Sequence, residues 1–377
     1  MAPSVLIIGA GVIGASLAYE LARQGAAVTV IDAAQAGSGT SAATYGWVNS
    51  NNKTPAEYSH LNVLGLQAHE RAARSAGGAP WFHQIGNIEL ARTDTELSAL
   101  EHKVARLSAD TYEAVLLTAA DVRRLEPSLG AGRLAGGALY PREGWIDAIT
   151  MCTALLAAAR HCGATFRPFE KVEQITGSSV ITTSADGTRN HHVAELTVLA
   201  AGNGTRKILA AEGIDFPTLD PEHHGGPASL PNPTVGLIST TGPIESGPRH
   251  LIRAPGIAMR PARNGGITFT DHPTGGRWDP ADPKIWTVPG TLLDRARELY
   301  PALDATTTRT VHIGTRVLPK DGLTISDWAA ESVYAIATHS GVTLAAHLAN
   351  VVATELLTGR RDDSLHGFGL ARFASAR

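Results

Sequence analysis

Hydrophobic and polar positions change period several times along the chain, and each change marks an element. Val5–Ile8 is an unbroken, β-branched apolar run, the pattern of a parallel strand buried on both faces. Gly9, Gly11 and Gly14 follow as G-x-G-x-x-G; Leu17, Ala18 and Leu21 then recur at helical spacing until Gly25. Ala27–Ile31 is a second apolar run and ends on Asp32. This order predicts a βαβ unit whose glycines admit a pyrophosphate to the helix N-terminus and whose acid hydrogen-bonds an adenosine ribose. A Gly-rich turn in an ordinary core unit accounts for the glycines but not for the acid.

Beyond Asp32 the simple alternation stops. Residues 35–52 are small, hydroxylated and amide-rich, a loop that presents backbone N–H groups and the hydroxyls of Ser38, Thr40 and Ser41 to phosphates. Its Tyr45–Gly46–Trp47 tail adds flat aromatic surface that is costly to leave in water. Residues 55–75 read as a helix, 82–92 as strand, 96–107 and 121–127 as helices, and 134–147 as a strand and turn. Asp147 is placed to cap an Ala/Leu-rich helix over 148–162. A strand near 171–175, a hairpin at Asp186–Gly187 and a buried strand Leu196–Leu199 come next, the last running into Ala-Ala-Gly at 200–202. Residues 215–304 are Pro- and Gly-rich with short alternating runs, which predicts an antiparallel sheet, and 290–300 resume as helix. A turn at Asp321–Gly322, a strand Val333–Thr338 and a helix from Val342 to Leu357 follow. His339–Ser340–Gly341 stands at that helix's N-terminus, where free N–H groups and the helix dipole face whatever binds.

Composition narrows the class. The 377 residues allow two or three domains. A net charge of −3 with 18% charged residues gives no sign of a nucleic-acid partner. Cys152 and Cys162 fall about 15 Å apart on one predicted helix, so they do not pair, and a reducing compartment is expected. Met1 leads almost directly into the first strand and no apolar run approaches the ~20 residues of a membrane span. These features predict a cytoplasmic protein without a membrane span.

Four separated motifs then resemble one family: the N-terminal βαβ, GSGTS at 37–41, LAAGNGT at 199–205, and RVLPKDGLTISDW with THSGVTLAAHLA near the end. Together they resemble the D-amino-acid oxidase/dehydrogenase, glycine oxidase and sarcosine oxidase group of FAD enzymes. The resemblance implies an α/β fold (α+β overall), a Rossmann-like FAD domain interleaved with an antiparallel-sheet substrate domain. We expect 1–79, 136–214 and 305–377 in the first and 80–135 and 215–304 in the second. It also implies oxidation of the C–N bond of an amino acid or amine to an imine by hydride transfer to flavin N5, with O2, a quinone or another carrier taking the electrons.

Carried over by position, Gly9, Gly11, Val12, Ile13 and Gly14 hold the pyrophosphate, and Asp32 and Ala33 the ribose. Gly39, Thr40 and Ser41 hold phosphate, Val172 meets adenine, and Ala201 and Gly202 lie near the phosphates. Gly46 and Trp47 lie along the flavin ring, and Ser340, Gly341, Val342 and Thr343 donate to its pyrimidine end. That last assignment agrees with physics, because reduced flavin is anionic at N1/C2=O and a helix N-terminus stabilises the charge. Arg316 corresponds to the arginine that grips a substrate carboxylate in glycine oxidase-like members and touches the cofactor; a salt bridge between domains is the alternative reading. Arg316, His339 and Ser340 are the candidates at the reacting centre, with Trp47, Asn49 and His250 beside the substrate. Arg253 is a further candidate on the same predicted sheet, with a solvated strand residue as the alternative. Asp327, Asn203 and Ser340 depart from residues common in relatives. No cysteine lies in the C-terminal part, which implies FAD held without a covalent bond. His191–His192 and His223–His224 resemble metal pairs, but adjacent strand residues point apart and no ligand spacing supports them, so no metal is expected. An FAD monooxygenase needing NAD(P)H and an FAD subunit of an electron-transfer complex are the competing functions.

Overall fold

The computed structural model describes residues 2–74, 78–222, 233–270 and 283–376, so His223–His224 lie outside the described residues. Eight α-helices occur among them: α1 Val12–Arg23, α2 Ala56–Arg74, α3 Asp94–Ala109, α4 Ala119–Leu125, α5 Ala148–His161, α6 Gly204–Ala211, α7 Val288–Leu299 and α8 Gly341–Thr358.

The predicted βαβ unit forms, and it seeds a six-stranded sheet. The order runs Ile325–Ala330, Val333–Ala337, Leu196–Leu199, Ser4–Ile8, Ala27–Ile31 and Thr165–Arg167, parallel except for the first strand. Close approach demands the glycines. A Cβ on Gly14 would stand 1.9 Å from Gly9 O, and one on Gly9 (φ +109°) would stand 2.4 Å from Ala200 O. The start of α1 is thereby pressed onto the ends of two strands, as a phosphate-binding turn requires. Val12, Ala15, Leu17, Ala18 and Leu21 are buried on α1 and join the core shared with α5 and α8. Truncating a leucine such as Leu17 to alanine there costs about 2–5 kcal/mol. Asp147 does cap α5, accepting from Thr150 N at 3.0 Å, and Gly359 ends α8 in the left-handed region (φ 72°). α8 is long and apolar enough by composition to cross a membrane, yet most of it is buried core packed on α1 and α2.

The second large sheet has eight strands. Their order is Thr308–Thr315, Val235–Thr241, Ile267–Thr270, Ile257–Pro261, Leu251–Ala254, Asn87–Ala91, Gly136–Tyr140 and Val115–Thr118. All neighbours are antiparallel except Leu251–Ala254 with Asn87–Ala91. Strand membership therefore runs past the expected boundaries, because 136–140 and 308–315 belong to this sheet. Side-chain alternation gives it two unlike faces. One, carrying Ile88, Leu90, Leu237, Ile252, Met259, Ile267 and Phe269, packs under α7. The other carries Asn87, Glu89, Arg253, Ala258, Arg260, Thr268, Gly236 and Thr240, a polar set that an all-apolar core would not select. Two smaller sheets complete the fold. One is a meander of Glu170–Thr176, Ser179–Ser184 and Arg189–Val193, turning at Asp186–Gly187 as predicted; the other is a short triplet of Trp47–Val48, Gly144–Ile146 and Phe82–His83.

Candidate active site

The site is assembled around the N-terminus of α8. Its first intrahelical bond runs from Leu344 N to Ser340 O at 2.9 Å, so the N–H groups of Gly341, Val342 and Thr343 precede the hydrogen-bonded ladder. Helix α2 fixes this turn from behind. Gly65 lets the two helices touch, since a Cβ there would stand 2.5 Å from Thr343 O, and His69 Nε2 bonds Val342 O at 2.9 Å. A carbonyl only accepts, so Nε2 carries the proton, and burial pushes this imidazole down to about 4, keeping it neutral. Ser340 caps α8 by position, but its hydroxyl is buried and accepts from Tyr58 OH at 2.8 Å. Its part is to tie α2 to α8.

The 47–53 segment lies across that helix end. Thr343 Oγ1 donates to Trp47 O at 3.3 Å, and Asn49 N donates to the same hydroxyl at 3.4 Å. Trp47 and Asn49 are thus brought to the first turn of α8. Trp47 Nε1 donates at 2.8 Å to Glu143, a fully buried carboxylate that also receives Asn51 Nδ2 (2.7 Å), Tyr112 OH (2.7 Å) and Asn87 Nδ2 (3.0 Å). Burial pushes Glu143 up to about 7 against four donors that favour the anion. Lys53, at the end of the segment, is pushed down to about 8 by burial, and the charge of Glu143 holds it up. Its ammonium lies 6.0 Å from the Tyr58 ring centroid. Lys53 and Arg316 both act electrostatically on His339, whose pKa falls well below its ordinary value, chiefly through desolvation and then through those two cations. His339 is neutral at pH 7.

At the adenine end, α1 and the 35–41 loop fit a dinucleotide. Asp32 accepts from Ala10 N (2.7 Å) and Ala34 N (2.8 Å); burial raises its pKa against those two bonds, and each oxygen keeps a lone pair for a ribose hydroxyl. Ala33 is exposed beside it, and Ser41 Oγ accepts from Val12 N at 3.2 Å, at the mouth of α1 with Gly11, Ile13 and Gly14. Thr40 donates to Thr315 O at 2.9 Å and Gly39 stands exposed in the same turn. Ser38 instead closes its own turn on Gln35 O. Ala201 and Gly202 (φ +59°) follow the Leu196–Leu199 strand next to Gly9, and Gly46 (φ +77°) abuts Ile146 O. Val172 sits in the first meander strand, where the pairing register shifts. Asp327 accepts from Leu370 N at 2.7 Å and Trp328 N at 2.9 Å, so the acid ties the C-terminal segment to its strand.

The structure places two predicted substrate residues differently from each other. His250 shares strand parity with Ile252, so it faces α7 and not the cofactor half. There its Nδ1 lies 2.7 Å from the buried carboxylate of Glu126, which also accepts from Tyr300 OH at 2.9 Å. Arg316 lies on the bare backbone of Gly236, but its guanidinium is not wholly free. Nη1 donates to Pro233 O (3.0 Å) and to Val235 O, which leaves the Nε and Nη2 edge for a ligand. The salt bridge weighed for Arg316 does not form with any described residue. Arg253, by contrast, is on the site face, its guanidinium 5.0 Å over the Trp47 ring. Sequence reasoning missed Lys53, Glu143, Glu89 and Lys103. Lys53, Glu89 and Glu143 stood out only as charges inside loop-like or apolar stretches, and Lys103 not at all on its charged helix.

Comparison with known proteins is consistent with this geometry. The model of the DAO family, described as FAD dependent oxidoreductase, matches residues 4–355. An opine oxidase subunit from Agrobacterium tumefaciens (strain Ach5) is 28% identical over 382 residues, covering 97% of this chain and 96% of the relative. The crystal structure of glycine oxidase from Geobacillus kaustophilus superposes with a TM-score of 0.80 at 23% identity, covering 98% of both chains. That of L-proline dehydrogenase from P. horikoshii gives 0.82 at 19% identity, covering 100% of this chain and 99% of the other. Matched by the family model over residues 4–355, the chain belongs to the DAO family of FAD-dependent oxidoreductases.

Proposed function

We propose that the substrate is an amino acid or N-substituted amino acid, held by its carboxylate, and that its C–N bond is oxidised to an imine that water hydrolyses. The observation that carries this reading is the gathering of Lys53, Arg253 and Arg316 around the α8 N-terminus, a field that suits an anion and not a plain amine. FAD, when bound, supplies the two-electron acceptor. The chain's residues supply the rest. Arg316 orients the substrate from Gly236, and Trp47 presents a flat wall fixed by Glu143. Lys53 and Arg316 disfavour the ammonium form of the substrate, so the nitrogen lone pair is available when the α-hydride departs. Neutral His339 lines the same cleft and adds no charge. No residue is required as a base beyond this field. The lack of any cysteine after Cys162 supports FAD held non-covalently.

The test is anaerobic bleaching of bound flavin near 450 nm across D- and L-amino acids, N-methyl and N-carboxyalkyl amino acids and cyclic imino acids. Reduction by uncharged amines in preference to all of these refutes the reading. Comparing peroxide yield with dye reduction assigns the acceptor. The near full-length likeness to a relative named as one subunit of an oxidase supports a second reading, in which the chain is the FAD subunit of a larger enzyme. Activity that emerges only with a second polypeptide would favour it.

A further inference from the structure

Phe169, on the turn between the dinucleotide sheet and the meander, is held at a cost that the core does not recover. Its φ of +60° lies in the left-handed region, which glycine and asparagine enter readily and a bulky side chain does not. Both of its backbone groups are committed there: its N–H donates to Ala34 O at 3.4 Å and its carbonyl accepts from Ala185 N at 3.0 Å. The ring gains no packing in return. It is 46% exposed and belongs to none of the four hydrophobic clusters formed by the described residues. A strained backbone that carries a side chain the core does not use points to a ligand. The position of the turn says which one. Asp32 N donates to Arg167 O at 3.1 Å, and Glu170 N donates to Asp32 O at 2.9 Å. With the bond to Ala34, these stitch residues 167–170 to the segment that leaves Asp32, whose carboxylate is placed for a ribose. On that segment Ala33 is exposed and Ala34 half-buried, and neither extends past Cβ.

We propose that Phe169 is a cofactor-binding residue, an aromatic wall on which the adenine of FAD stacks. A purine presents a π-face that an aromatic side chain covers, and the contact removes apolar surface of both rings from water. Ala33 and Ala34 leave the base room where longer side chains would compete for the ring. Stacking thereby offsets the conformational cost of keeping a phenyl group at a left-handed position. The inference concerns the end of the cofactor remote from the chemistry, so its failure leaves the function proposed above untouched.

Asparagine separates the two properties of the position, because it accepts the left-handed conformation and removes the ring. In the full-length apoprotein, Phe169→Asn should raise the melting temperature while weakening FAD binding about tenfold in a flavin fluorescence titration, as loss of one aromatic stack requires. ADP carries the purine without the flavin, and its affinity, read by calorimetry, should fall by the same factor. Phe169→Tyr keeps a ring and should stay within about twofold of the unmodified chain for both ligands. Opposite signs are the signature, since a ring that merely packed on protein would lose stability and affinity together. An FAD Kd unchanged in Phe169→Asn, an ADP affinity that holds while that for FAD falls, or a lower melting temperature overturns the proposal.

Discussion

Gly65 is the position where a single methyl group should separate cofactor binding from folding. It lies on α2 with no room for a side chain, its virtual Cβ 2.5 Å from Thr343 O and 3.2 Å from Leu344 Cδ2. Ordinary contact begins at 3.4 Å, so Gly65→Ala must part the two helices by about 0.9 Å. Overpacking of this kind costs about 1–3 kcal/mol, and the better helix propensity of alanine returns ~1 kcal/mol, leaving a net loss of about 0–2 kcal/mol. The larger consequence falls on the flavin. A shift of that size stretches an N–H···O bond of ~2.9 Å beyond ~3.2 Å, where it weakens steeply. Losing two such bonds from the Gly341–Thr343 turn costs about 2 kcal/mol, or roughly 30-fold in Kd. Thermal unfolding of the apoprotein gives the first quantity and fluorescence titration with FAD the second. Gly290→Ala is the control, because that glycine of α7 has open space around it; it should leave FAD affinity unchanged and raise stability by up to ~1 kcal/mol. A Gly65→Ala protein that binds FAD within twofold of the unmodified chain would refute the clamp on α8.

Other perturbations probe the remaining parts. Lys53 is depressed to about 8, so it is charged below that pH and loses its charge above it. Affinity for (methylthio)acetate, a carboxylate that cannot be oxidised and does not itself titrate there, should therefore fall by up to tenfold per pH unit above about 8 and stay flat to pH 10 in Lys53→Arg. Glu143→Gln leaves one oxygen for four donors and should destabilise the protein by about 2–4 kcal/mol in denaturant titration, with a shifted Trp47 emission. Gly236→Val places methyl groups where Arg316 lies, with Nη2 only 3.2 Å from a Cβ, and should raise KM for the substrate about tenfold or more while FAD content holds.

Local pattern carried the adenine half of the molecule a long way. The Val5–Asp32 unit and the Asp147 cap depend on local pattern and formed as read, and the last helix, expected from Val342 to Leu357, forms one residue longer at each end, Gly341–Thr358. The substrate half was harder, for a reason visible at His250 and Arg253. His250 immediately precedes one short strand and Arg253 lies within it, and only the pairing register tells which of them faces α7 and which faces Trp47. Lys53, Glu89, Lys103 and Glu143 come from four segments remote in the chain, and each looks like an ordinary surface charge until the fold buries Glu143 and half-buries the other three. Arg316 was found by resemblance, but its tether to the Pro233 and Val235 carbonyls has no trace in the pattern around it.

The place of α8 between α1 and α2 also bears on how the chain reaches its folded state. The dinucleotide sheet is drawn from residues 4–31, 165–199 and 325–337, and the eight-stranded sheet threads between those pieces. During synthesis the apolar faces of α1 and α2 emerge long before the helix that covers them. Neither FAD nor a finished core is within reach until the chain has been made past about residue 358. A protein so arranged is slow to close and exposed to aggregation while it waits, and a holding chaperone or an ample supply of FAD should raise its soluble yield more than a lower temperature does.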